Sequence, residues 1–406
     1  MRILFVNVVD RRNPVQIRHH PLAFGYLVSY CYANNEPLEY AYTEKLDETC
    51  LKNTRPDVVA MTSVTENYNL ATFYSNSIKK FNPNIKVIIG GVHISVAPTS
   101  LSRAIDVGVI GEGEATFLEL LKNNFEPNDK IRGVVFRKNG VLQKTEERNL
   151  IEPLDLIPHP KRDMFGNEKR PQIMFTTRGC SYRCIFCSSS RFWKKVRFHS
   201  PEYVATEIRQ IKERFNVTHI GICDDTFILD VERVRQIKDL VKPLGLRYSI
   251  AARANLITEE VAAILKDMRV KAVGMGFESN SQRILDYLHK GNTVEDNQRA
   301  VNILRKYGIE FSGSFIRNIP IETPKDLKLT YDFIHRNAVP YDMYRLMKFP
   351  GTPIYEGNEN WDSYKVYYYD PKMTKLRKRL FKVKPLRLLY RGFKKMVKGS
   401  DIYEQY

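Results

Sequence analysis

"TTRGCSYRCIFCSSS", residues 176–190, carries three of the chain's six cysteines within eight positions. The others, Cys31, Cys50 and Cys223, are too scattered to offer an obvious fourth partner. A structural zinc site is tetrahedral and closed by four protein ligands. The nearest histidine, His199, lies twelve residues past Cys187, beyond what reads as a loop and a helix cap. An iron–sulfur cubane also takes four thiolates as a rule. Three thiolates would leave one iron without a protein ligand, and an open metal position is where a substrate or cosubstrate can bind.

The segments around the triplet place it in a fold. From residue 171 to about 350, β-rich runs alternate with helix-length stretches: "PQIMFTT", "VTHIGICDD", "LRYSIAARAN", "VKAVGMGFES", "IEFSGSFIRN" and "YDMYRLMKF". In one intervening helix Val204, Ile208, Ile211 and Phe215 fall on one face, with Ser200 as N-cap and Pro201 at the first helical position. Six βα steps predict an open, partial barrel, with functional residues where its strands end. Upstream, "RILFVNV", "PDVVAMTSV", "NIKVIIGG" and "DVGVIGEGE" predict a parallel sheet with crossover helices. Ligands of such sheets sit outside the carboxyl ends of the strands. Small residues stand there: Ser63 and Thr65, Gly90 and Gly91, Gly111 and Gly113. "GVVFRKNGVL" adds a hairpin turning at "NG". The proline-rich "IEPLDLIPHPKRDMFG" reads as a linker. The expected organisation is a Rossmann-like domain over 1–150, a linker over 151–170, a partial barrel over 171–355 and a basic tail over 356–406.

Composition narrows the setting. Hydrophobic content of 43% and charged content of 27% suit a globular chain. The opening "ILFVNVV" is only seven apolar residues before "DRR", too short for a signal peptide, and no run approaches a bilayer span. Unevenly spaced cysteines in a chain of 406 residues argue for a reducing cytoplasm rather than a disulfide framework. Of the net charge of +18, twelve Lys or Arg with no Asp or Glu lie between Lys372 and Lys398. Basicity is therefore a property of the tail.

The spacing C-x3-C-x2-C of Cys180, Cys184 and Cys187, with the aromatic Phe186 before the third cysteine, resembles the radical S-adenosylmethionine (SAM) superfamily. The resemblance implies a 4Fe-4S cluster on the three cysteines. Its unique iron would chelate the amino and carboxylate groups of SAM, and an electron would cleave the sulfonium to a 5′-deoxyadenosyl radical. "ICDDTF", "ARAN" and "GFES" resemble the segments that hold this cosubstrate. By position, Asp224 or Asp225 would meet the amino group, and Arg253 and Glu278 the ribose or carboxylate region. The aspartates could equally cap the next helix, and Glu278 the helix beginning near Ser281. "FIRNIPIET" resembles the family's "GLPGET", with Arg317 and Asn318 where a glycine is usual. Cys223, inside an expected strand, reads as a buried thiol.

"MTSVTENY", "VIIGGVHISVAP" and "DVGVIGEGEATFLEL", in that order before the barrel, resemble the cobalamin-binding domain of class B radical SAM enzymes, and "PGTPIYE" the usual closing stretch. Ser63, Thr65, Gly90, Gly91, His93, Gly111, Glu112 and Gly113 are the implied cobalamin contacts. The cobalt-ligating D-x-H-x-x-G pattern is absent: His93, His19 and His20 all lack its aspartate and glycine. The resemblance thus implies base-off cobalamin without a histidine ligand, with His93 a loop contact or turn residue. It further implies an enzyme, a methyltransferase acting on an unactivated carbon, served by a reducing partner such as flavodoxin or ferredoxin.

Three other readings stay open. The same radical machinery could serve C–C coupling, cyclisation or rearrangement. An RNA methylthiotransferase would need three more N-terminal cysteines, where only Cys31 and Cys50 occur. A non-catalytic cobalamin or redox sensor would not need the triplet. In the tail, Leu376, Leu380, Phe381, Val383, Leu386, Leu389, Phe393 and Val397 interleave with cations, an amphipathic pattern broken at Pro385. It suits an anionic membrane surface, and with it a lipid or lipid-linked substrate. RNA, an acidic protein or packing on the barrel would also use such a helix; no obligate nucleic acid is expected. The expected location is cytoplasmic, with peripheral attachment at the inner membrane face. Tyr344, Arg345 and Arg317 are cavity candidates by strand position alone.

Overall fold

The computed structural model describes residues 1–9, 18–166 and 170–364. Of the expected basic tail over 356–406, residues 365–406, including the cationic run, lie outside the described residues. Contacts divide the chain into two compact units. The first comprises Met1–Arg170, Arg191–Arg197 and a segment starting at Lys348; the second comprises Pro171–Ser190 and Phe198–Met347.

In the first unit the strands are β1 (Arg2–Asn7), β2 (Glu39–Thr43), β3 (Val58–Thr62), β4 (Lys86–Gly90), β5 (Val107–Val109), β6 (Val134–Lys138) and β7 (Val141–Lys144). They form one sheet in the order β2-β1-β3-β4-β5-β6-β7. The first five are parallel, with Ile3 opposite Val58 and Val58 opposite Lys86. Ile3, Leu4, Phe5 and Val6 are fully buried, as both faces of a parallel sheet require. The chain leaves β1 toward β2 on one side and β3 on the other, so a switch point opens at the carboxyl ends of β1 and β3. The β6–β7 hairpin extends the sheet antiparallel. Its turn is Asn139–Gly140, both left-handed, which is why "NG" was needed.

The second unit holds β8 (Ile173–Met174), β9 (His219–Ile222), β10 (Arg247–Ala252), β11 (Val270–Glu278), β12 (Glu310–Arg317) and β13 (Tyr341–Arg345). Neighbours pair in sequence order and all are parallel. The order is linear, so the six strands form an open parallel sheet, as a partial barrel requires. Its core is aliphatic with an aromatic knot of Phe277, Phe315 and Phe333, ring centroids 5.4–6.4 Å apart. The helix Pro201–Phe215 buries Val204, Ile208 and Ile211, and Ser200 accepts a hydrogen bond from the Tyr203 amide at its N-cap.

Two expected boundaries differ. The proline-rich "linker" is packed: Leu154, Ile157, Met164 and Phe165 are buried within the first unit. The barrel was expected to run to residue 355, yet the segment from Lys348 belongs to the first unit. The reason is burial of Trp361 and Tyr364 there, with Gly351 left-handed where a Cβ would meet Val96 at 2.8 Å.

Candidate active site

The cluster loop begins where β8 ends, and one carboxylate fixes that exit. Asp224 is 2% exposed. Its Oδ1 accepts the Thr176 and Thr177 amides at 2.6 and 3.1 Å, and its Oδ2 the Thr176 hydroxyl. Arg233 adds donors to the Thr176 and His199 carbonyls at 2.9 and 2.8 Å. Burial outweighs these hydrogen bonds and pushes the Asp224 carboxyl up to about 6. Both Asp224 oxygens thus serve the strand exit, which leaves Asp225 as the member of the pair with an oxygen toward the cluster loop. Asp225 is the exposed member of the pair and accepts from Ser189 in the cluster loop. Neither caps the next helix, because Asp230 does so by accepting the Arg233 amide at 3.0 Å.

The three cysteines are free thiols, Cys184 buried and Cys180 and Cys187 half-buried. Phe186 is half-buried between them in sequence. Burial pushes the Cys187 thiol up. No three His, Cys, Asp or Glu side chains gather into a single-ion chelate among the described residues. A cubane spreads its thiolates over different irons and asks for a wider triad. A loop of three thiols with no other ligand type fits a cluster with one open iron.

The far side of this loop rests on Arg253, which is 5% exposed. Its guanidinium carbon lies 3.4 Å from the Tyr182 ring centroid, its Nη1 donates to Cys184 Sγ at 3.5 Å and its Nη2 donates to the Lys290 carbonyl. Asn255 donates to the Tyr182 hydroxyl at 2.8 Å. Glu278 sits at a left-handed position (φ 62°) after a register shift at the end of β11. It forms a buried ion pair with Lys290 at 2.9 Å and caps no helix. Gly276 makes room for it, since a Cβ there would stand 2.3 Å from Glu278 Oε1. Asn318 is also left-handed, φ 61°, so this asparagine supplies the backbone conformation expected of glycine in "RNIPIET".

In the first unit the expected cobalamin residues meet at the carboxyl ends of β3, β4 and β5. Ser63 is buried with its hydroxyl unpartnered among the described residues. Gly91, φ 105°, lies against it: a Cβ would stand 2.6 Å from the Ser63 carbonyl. Gly111 has open space at its Cβ position, a Cβ on Gly90 would only touch Val109 at 4.0 Å, and Gly113 caps the helix Glu114–Lys122. This small-residue cradle with a spare hydroxyl fits a large ligand approaching backbone.

Two residues depart from expectation. His93 is fully buried inside the short helix Val92–Val96, not on a loop. Its Nδ1 meets Thr65 Oγ1 at 3.2 Å and its Nε2 meets Ser100 Oγ at 3.0 Å. Tyr68 stacks on its ring and Trp361 meets it edge-on. Burial lowers its pKa to about 4, so it is a neutral strut. Glu112 is spent on a buried bidentate pair with Arg197, at 2.8 and 2.9 Å, and on the Ile151 amide. Both side chains are engaged by protein partners. Tyr182, Asn255, Lys290, Arg197 and Trp361 went unnoticed in the sequence; only "HKGN", next to the helix after "GFES", offered a basic signal near the site.

The radical SAM superfamily model matches residues 174–334, and the B12 binding domain model matches residues 15–121. An uncharacterized methyltransferase of Pyrococcus horikoshii is 32% identical over 322 residues, covering 75% of this chain and 70% of the relative. The chain belongs to the cobalamin-binding radical SAM family. A second relative of this radical SAM enzyme is the anaerobic magnesium-protoporphyrin IX monomethyl ester cyclase of Rubrivivax gelatinosus, 27% identical, covering 82% of this chain and 65% of that one. The solved radical SAM methyltransferase TsrM of Kitasatospora setae superposes with a TM-score of 0.73 at 19% identity, over 87% of this chain and 75% of its own. That likeness shows the fold alone. The two domains imply a 4Fe-4S cluster, SAM and cobalamin.

The Asp224 clamp predicts an unusual pH dependence. Between the ordinary carboxylate value of 3.8 and about 6, the folded chain keeps a proton that the unfolded chain has released. The group's contribution to stability therefore declines as pH rises through that window and is constant above it. Asp224→Asn retains an oxygen for the two amides and should flatten this slope in calorimetric melts. Asp224→Ala strands both donors and should cost ~1–3 kcal/mol for each. Asn melting as low as Ala would contradict the clamp.

Proposed function

We propose that this enzyme is a cobalamin-dependent methyltransferase acting on an unactivated carbon. The observation that carries the reading is a cluster loop with three free thiols and no fourth ligand, in a chain that also holds the small-residue cradle around Ser63 and Gly91. When bound, the cluster supplies an electron to the SAM sulfonium and the corrinoid supplies a methyl group. Cys180, Cys184 and Cys187 would hold the cluster. Asp225, Glu278 and Lys290 would face the amino, ribose and carboxylate parts of SAM. Ser63 would donate to or accept from the corrinoid's polar periphery, with Gly90, Gly91 and Gly111 admitting it to the backbone.

The base-off state without histidine belongs to the same proposal. It is supported by His93, whose two ring nitrogens are occupied by hydroxyls. The protein's work is placement and exclusion of water. A one-electron donor of the flavodoxin or ferredoxin class would reduce the cluster.

The Rubrivivax cyclase favours a second reading, ring closure or another C–C bond formation without methyl transfer. Anaerobic reconstitution with iron, sulfide and hydroxocobalamin, followed by reduction and SAM, tests both. The proposal expects bound corrinoid, 5′-deoxyadenosine release and a product heavier by one methyl in place of hydrogen. Nucleoside release with a product lacking that increment would select the second reading. No nucleoside and no bound corrinoid would refute both.

No helix among the described residues is long and apolar enough to cross a membrane. We propose peripheral attachment through the cationic segment Lys372–Lys398, and with it a lipid or lipid-linked substrate. Full-length protein should co-sediment with anionic liposomes and a 1–370 truncation should stay in solution. Equal pelleting would rule this out.

A further inference from the structure

Arg253 presents an unresolved charge. Its guanidinium is buried, yet no carboxylate pairs with it among the described residues. Its donors go instead to a carbonyl (Lys290), a side-chain amide oxygen (Asn255, 3.4 Å) and the sulfur of Cys184 (3.5 Å), while Tyr182 covers one face at 3.4 Å. The neighbouring acid, Glu278, is already matched by the Lys290 ammonium. A buried cation without a counter-charge is costly, and native structures pair such groups. The cluster loop is where the missing anion belongs: Cys184, the most buried of the three thiols, becomes a thiolate once it binds iron.

We infer that Arg253 is a positioning residue for the cluster, hydrogen-bonded to the Cys184 thiolate and raising the cluster's reduction potential, rather than a residue that binds SAM. The inference rests on the three-cysteine cluster of the proposed function. Its physics is simple. One electron from an external donor makes the thiolate-bound cubane more negative by one charge. A fixed cation against a thiolate, screened from water by Tyr182, stabilises that added charge more than the oxidised state. Hydrogen bonds to sulfur and local charge are known levers on such potentials. Tyr182 also lies inside the C-x3-C loop, so the cation–π contact ties the loop to the end of β10.

The discriminating experiment uses full-length protein, anaerobically reconstituted with iron and sulfide, in two measurements. Dithionite titration with redox mediators, read by EPR of the reduced cluster, gives the midpoint. Equilibrium dialysis with labelled SAM on the oxidised form gives the affinity. Arg253→Gln should make one-electron reduction about tenfold less favourable, a midpoint more negative by ~59 mV, with SAM affinity unchanged. Arg253→Lys, which keeps the charge but not the fork, should shift in the same direction by less, and it serves alone if the glutamine variant does not assemble a cluster. An unmoved midpoint with weakened SAM binding would make Arg253 a cosubstrate residue and overturn the inference, as would no change in either quantity. If wild type assembles no cluster, it is the functional reading that has failed. If wild type assembles one and the variants leave its midpoint in place, only the inference about Arg253 has.

Discussion

Three thiolates on one short loop are useful only if the loop is held by other groups, leaving every sulfur for metal. The second unit meets this constraint from two sides. Asp224 takes the amides of Thr176 and Thr177 where β8 ends, and Arg253 presses against Tyr182 and Cys184 from the end of β10. A carboxylate and a guanidinium, both buried, thus do what a fourth cysteine or a disulfide would otherwise do. On the proposed reading, a loop held in this way leaves its three thiols available to a cluster with one open iron, where SAM would bind.

The two units handle buried charge and buried polarity in different ways. The barrel buries Arg253, Lys290 and Glu278 beside the cysteine loop. In the Rossmann-like unit, His93 is uncharged between two hydroxyls, and Glu112 is matched by Arg197. At the carboxyl ends of its strands lie the small residues around Gly91, the spare hydroxyl of Ser63 and, after β3, the buried Glu66. On the proposed reading, the glycines are where a bulky ring system would approach backbone.

Much of this was legible from period and spacing. The six barrel strands, the Ser200 cap, the "NG" hairpin and the glycines at strand ends are local features, each set by residues a few positions apart. Partners far apart in sequence were not legible. Glu112 meets Arg197 across 85 positions, and Asp224 meets Thr176 across 48. A carboxylate in a family segment looks the same whether it binds a ligand or a neighbouring strand's amides. His93 shows the same limit: a histidine after a glycine pair reads as a loop residue until Tyr68 and Trp361 close over it. The return of the chain from Lys348 to the first unit left no mark in the pattern, because Trp361 and Tyr364 would be apolar in either setting.

The most direct test of the account is Mössbauer spectroscopy of anaerobic protein reconstituted with isotopically enriched iron, before and after SAM is added. The account predicts a cubane in which a single iron changes its isomer shift when SAM binds, while the three irons on Cys180, Cys184 and Cys187 keep theirs. A cubane whose four irons are all unaffected by SAM, or protein that assembles no cubane, would contradict it.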